Sequence, residues 1–190
     1  MFDSFATIRA DIERRLRQGA SSRHSPMHLP SVATTDADVR IMVLRAFERA
    51  TWTLRFHTDA RAPKSRTIGD DASVGVLFYD KADKIQIRVR GEGRILTEGE
   101  VVDAAWDAAT NFARRCYLGA APGTGSDRPS SGLPEWAAGH QPTDEELRPA
   151  RDNFAILHVA IEEADWFYLS NDGHRRALIR PDGTGQWITP

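Results

Sequence analysis

Lys84 to Leu96 carries the clearest periodicity in the chain. Ile85, Ile87 and Val89 alternate with Gln86, Arg88 and Arg90. A period of two places the first three on one face of an extended strand and the other three on the opposite face. The apolar face can fill a core. The polar face is left for solvent, a ligand or a second subunit.

Further β-rich runs are expected at 28–34, 39–47, 52–58 and 72–79. Three closing strands are expected at 154–161, 166–169 and 175–180. Asn171-Asp172-Gly173 and Pro181-Asp182-Gly183 supply the hairpin turns between and after them. Phe2, Phe5, Ile8, Ile12 and Leu16 recur at helical spacing and Gly19 closes the pattern, which predicts an N-terminal helix within 1–19. Val101, Val102, Ala105, Trp106, Ala109, Phe112 and Ala113 predict a second helix over 100–118. Residues 119–142 are expected to form a long loop, rich in Gly, Ser and Pro from Pro122 onward. Trp136 within it is costly to leave in solvent, so part of the loop should pack or cover something. Strands outnumber helices and short turns join most of them. The expected fold is mainly β: a single domain built as an antiparallel barrel with helices packed outside.

A chain of 190 residues is long enough to bury one substantial core. Its net charge of −2 gives no support to a general nucleic-acid or anionic-membrane role, so any anion site must be local. Cys116 is the only cysteine, which excludes an internal disulfide and suits a reducing compartment. Asp3, Arg9, Asp11, Glu13, Arg14 and Arg15 interrupt the N-terminus, so it does not read as a signal peptide. No run approaches a membrane span. The expected location is the cytoplasm.

Cationic and hydroxyl residues gather between Arg40 and Lys64. Arg40 opens a strand, Arg45 lies near its far end, His57 and Thr58 end the next strand, and Arg61 and Lys64 follow in a loop. Arg offers a planar fork to a phosphate and Lys a mobile point charge. Taken singly, each could equally be an ordinary surface charge. Gln86 has both donors and an acceptor and suits a heteroaromatic ring, or else a solvated barrel exterior. Trp166 and the triplet His174-Arg175-Arg176 flank a hairpin turn that could bring aromatic and cation side by side. His24 and His28 flank Pro26 in a loop and do not read as a metal pair. Gly91-Glu92-Gly93 and Gly183-Thr184-Gly185 do not open helices, so neither reads as a phosphate loop.

In this order, Arg40-Ile-Met-Val-Leu-Arg45, Phe56-His57-Thr58-Asp59, the Arg61-to-Lys64 loop, Gln86 leading to Gly91, Trp166 and His174-Arg-Arg176 resemble the pyridoxamine 5′-phosphate oxidase-like family of FMN-binding split barrels. The likeness runs from about His28 to Pro190 and is to the broad oxidase-related branch. It implies FMN as cofactor, bound at a homodimer interface. By position, Arg40, Arg45, Arg61 and Lys64 match cofactor-contacting basic residues, and Thr58 matches a phosphate-side hydroxyl. His57 stands where the vitamin enzymes have Tyr. Gln86 matches a flavin-contacting residue, and Trp166 and Arg176 match residues given by the second subunit. The implied activity is FMN-dependent oxidation or reduction of a small molecule, with no metal and no catalytic side chain assigned. The alternatives are a flavin-binding or redox-sensing module without turnover, or a split barrel holding haem or a deazaflavin. Two departures bear on the substrate. The segment from Arg114 to Gly123 keeps only scattered members of the run that holds the substrate phosphate in the true oxidases. Asp172 stands where those enzymes place a substrate-contacting Arg, two residues before His174. A carboxylate there opposes a phosphorylated substrate, so Asp172 and His174 are substrate-side candidates for some other small molecule.

Overall fold

The computed structural model describes residues 2–190. Helix α1 (Phe5–Ser21) precedes strands β1 (Ser31–Ala33), β2 (Val39–Ile41), β3 (Leu44–Glu48) and β4 (Thr53–Asp59). Helix α2 (Pro63–Ile68), β5 (Ala72–Asp80) and β6 (Ile85–Leu96) follow. After α3 (Glu100–Asp107), α4 (Asn111–Arg114) and α5 (Asp144–Leu147) come β7 (Phe154–Tyr168), β8 (Arg175–Ile179) and β9 (Gly185–Trp187). Every strand pairing is antiparallel.

The path through the sheet is β2-β1-β5-β6-β7-β4-β3, with β8 on β7 and β9 on β8. Strand β7 explains the split. One edge pairs with β6 along nearly its whole length. The other edge is shared: Thr53–Asp59 of β4 cover Phe154–Ala160, and β8 covers Ala164–Tyr168. A bulge at Arg90/Gly91 of β6 lies beside the point of divergence.

The inner face carries the core predicted from the alternation. Ile85, Ile87 and Val89 are buried with Val74, Val76, Phe78, Leu54, Phe56, Leu157 and Val159. Helix α1 packs on β3 and β8, so it lies across the split. Its apolar stripe, Ile8, Ile12 and Leu16, is fully buried. Its buried charges are tied down as well. Asp11 accepts from the Trp166 indole at 3.0 Å and from Arg15 at 2.8 Å, and Glu13 accepts from the Trp52 indole at 3.1 Å. Arg15 also reaches Asp80 and Asp83, which clamps the helix to the β5–β6 turn.

Four boundaries differ from expectation, each for a visible reason. The run 39–47 divides into β2 and β3 because the chain changes partner there: Met42 N–H donates to Pro30, Leu44 N–H donates to His28, and β3 then joins β4. The expected strand over 28–34 contracts to Ser31–Ala33 for the same reason. The polar stretch 162–165 does not interrupt β7. Its carboxylates face Arg90 and Arg88 of β6 as Glu163 and Asp165 ion pairs, so the two expected strands are one. The helix over 100–118 breaks after Asp107. Arg114 folds back and donates to the carbonyls of Trp106 and Asp107, both at 2.8 Å, satisfying the free end of α3. Thr110 then caps α4 through Ala113 N–H, and a 3-10 turn covers Arg115–Leu118. The 119–142 loop does pack, but through Ala137, which is fully buried. Trp136 is left 49% exposed.

Candidate functional site

The cations of the 40–64 stretch do not form one cluster. Arg40 lies on β2, and its guanidinium donates to Thr34 Oγ1 at 3.0 Å and pairs with Asp38. The turn after β1 meets α2 through Thr67 and Asp36. Lys64, in the first turn of α2, is half-buried and makes no ion pair or hydrogen bond among the described residues. Burial and then the nearby Arg40 charge push its pKa down. Arg61 is held in a fork on Asp59, with Nε and Nη2 at 3.0 and 2.7 Å. Asp59 was not among the expected site residues, although it decides how available Arg61 is. The Thr58 hydroxyl is buried without a hydrogen-bond partner.

Arg45 and His57 lie elsewhere. Arg45 is the extra residue of a bulge between Leu44 and Ala46, which turns it to the exposed side. His57 points to the opposite face from Thr58, as neighbours on a strand must. It meets Phe154 edge-on at 5.0 Å. Burial, then the charges of Arg45 and Arg55, lower its pKa to about 4, so it is neutral at neutral pH. Arg45, Arg55 and His57 form one wall of an open cleft of about 410 Å³, and Ala104, Ala105, Ala108, Ala109, Thr110 and Ala113 form the other. Arg55 escaped the sequence reading. Its spacing of two from His57 on a strand was the available signal.

Gln86 and Arg176 share a third location. Gln86 lies opposite Phe167 on β7, and Phe167 lies opposite Arg176 on β8, so the three form a row across the outer face. Arg176 is anchored on Asp165 by two hydrogen bonds of 2.9 and 2.8 Å, and Arg88 pairs with the same carboxylate. His174 is exposed and meets Phe167 edge-on at 5.6 Å. Asp172 instead lines a crevice with Arg14, Arg15 and Asp83 on the α1 side, so the turn does not bring Asp172 and His174 together.

Trp166 requires a correction. The expectation placed it across an interface, over a ligand. It is fully buried, faces the core beside Phe2 at 4.7 Å, and spends its indole N–H on Asp11. The aromatic on the outer face is its neighbour Phe167.

The split antiparallel sheet is the fold of the FMN-binding split barrels. Residues 6–97 match the family model described as pyridoxamine 5′-phosphate oxidase, FMN-binding domain. Over those residues the chain is similar to the FMN-binding domain of that family, and the match supports FMN as the cofactor. Solved structures share the fold. A pyridoxamine 5′-phosphate oxidase-related, FMN-binding protein from Nostoc punctiforme PCC 73102 is 22% identical, with a TM-score of 0.74 over 96% of this chain and 97% of that one. PhzG from Burkholderia lata 383, in complex with tetrahydrophenazine-1-carboxylic acid, is 16% identical, with a TM-score of 0.60 over 97% and 88%. The general stress FMN/FAD binding protein from Xanthomonas citri is 12% identical, with a TM-score of 0.54 over 87% and 92%. No curated protein matches the chain. Among the described residues no helix is long and apolar enough to cross a membrane.

Proposed function

We propose that this protein is a cytoplasmic FMN-dependent oxidoreductase that acts on a small molecule as a homodimer with a composite flavin site. The observation that carries the reading is the unpaired, half-buried Lys64 beside Arg40, together with a buried Thr58 hydroxyl that also lacks a partner. Groups left unsatisfied in this way are costly unless something fills the site. A phosphate would take a charge-assisted hydrogen bond from Lys64.

Gln86 offers an amide to the flavin ring, and Arg176 holds positive charge beside it, fixed by Asp165. When bound, the flavin supplies the hydride or electron transfer that no side chain here can provide. The roles left to the protein are to bind, orient and shield.

Distance supports the composite site. Ile68 of α2 packs against Gly93 on β6. Gly93 and Gln86 are seven residues apart along that strand, about 23 Å at a strand's rise. That exceeds the reach of one flavin from ring to phosphate. This favours Lys64 of one copy pairing with Gln86 of the other.

The test is spectroscopic. The purified protein should carry a flavin spectrum, release FMN on denaturation, and reoxidise faster with its substrate than without. A colourless protein that also ignores added FMN would refute the cofactor site. Flavin reoxidation indifferent to every candidate acceptor would refute the enzyme and leave a binding module.

A further inference from the structure

The cleft between β4 and α3 lies apart from Lys64 and from the Gln86–Arg176 row, and two unpaired arginines line it. Arg45 and Arg55 both line it, and among the described residues neither makes an ion pair or a hydrogen bond. Most other arginines do: Arg15, Arg40, Arg61, Arg88, Arg114 and Arg176 all meet carboxylates. What sets this wall apart is that two unpaired arginines line one cleft together. Two further groups there are unsatisfied, since Arg55 Nε and His57 Nε2 are both buried without partners. An unpaired buried donor is the kind of defect that a native fold retains for a reason.

The facing wall has the opposite character. Ala104, Ala105, Ala108, Ala109 and Ala113 present methyl groups, and the Thr110 hydroxyl is already used to cap Ala113. A ligand that suits both walls has an anionic head and a small apolar body. The accessible donors are guanidinium forks, which match the two oxygens of a carboxylate. The side of α3 offers no free backbone N–H groups of the sort that phosphate sites gather. His57, kept neutral by burial and by the two arginines, adds a hydrogen bond without adding charge.

We propose that Arg45, Arg55 and His57 form a carboxylate subsite for a small organic acid whose apolar body lies along the alanines of α3 and α4. Arg55 would be its specificity-determining residue. Arg45 and His57 then serve the acid and not the flavin phosphate.

Calorimetric titration with benzoate, benzamide and phenyl phosphate tests this, with flavin absorbance recorded on the same samples. Benzoate should bind, and neutral benzamide should bind at least about tenfold more weakly. Arg55→Ala and the exposed Arg45→Ala should each weaken benzoate at least about tenfold, the scale of one lost charge-assisted contact. Arg17→Ala, on the exposed side of α1, should change nothing. Flavin content should be the same in all three variants. Benzoate binding that is absent, or unchanged in both cleft variants, overturns the subsite. Phenyl phosphate bound in preference to benzoate overturns the carboxylate class. Arg-dependent benzoate binding by a colourless protein would uphold the subsite while the flavin reading fell. A yellow protein blind to benzoate would show the reverse.

Discussion

At the scale of single residues, what matters is whether a cation is already spent. Lys64 has no partner, whereas Arg61 is forked onto Asp59. Lys64→Ala should therefore weaken FMN binding by about 1.5–3 kcal/mol, the range for a charge-assisted hydrogen bond. Arg61→Ala should cost under about 1 kcal/mol, because its exchange with Asp59 makes it behave like an exposed pair. Fluorescence titration of apoprotein with FMN distinguishes them, and equal losses would restore Arg61 to the phosphate site. The sequence displays the residue types but not these partnerships. Asp59 stands two residues from Arg61 in plain view, yet only the fold shows that the loop brings the two together. Trp166 is the clearer lesson. On an extended strand it must face with Ala164 and Tyr168, opposite to Asp165 and Phe167. That parity was readable, and it assigns Trp166 to the core.

At the scale of elements, period-two alternation placed β6 with little error, because one apolar face fixes both conformation and register. Breaks were harder to read, since they depend on partners distant in sequence. Arg114 closing α3 and the pairing of Glu163 and Asp165 with β6 are examples. Gly91 marks another such place. A Cβ there would sit 2.1 Å from the Ala160 carbonyl oxygen, beside the bulge where β7 passes from one partner to the other. Gly75, one strand over, would meet only the Ala33 methyl at 3.8 Å. Gly91→Ala should thus destabilise the protein by about 1–3 kcal/mol through forced backbone displacement. Gly75→Ala should be neutral or slightly stabilising, since it only removes unfolded-state freedom. Denaturant unfolding of both variants at one protein concentration checks this. A tolerated Gly91→Ala would mean that the split point is not held by close backbone packing.

At the scale of the whole molecule, the family resemblance made the split barrel and its cofactor legible, but the spatial division of the site was not. Lys64, the Arg45–His57 cleft and the Gln86–Arg176 row occupy three separate places, and sequence order says nothing of that. The outer face of the sheet offers a means to reunite two of them. Ile41 pairs through Ser31 to Leu77, and these positions stand 60% and 40% exposed; Val39 and Tyr79, at 59% and 47%, extend the strip. Apolar side chains in such a row favour burial against another surface. A second copy is the occupant that would also carry Gln86 and Arg176 toward the first copy's Lys64, and a two-fold axis makes the same strip serve both chains. Sedimentation should therefore report a dimer. The double variant Ile41→Glu, Leu77→Lys should shift it to monomer, because desolvating those charges opposes association. The variant should stay folded, since both side chains project from the sheet's outer face. It should nevertheless lose FMN, although Arg40, Thr58 and Lys64 are untouched. A folded monomer that keeps its flavin would show that one copy suffices, and the composite site would have to be abandoned.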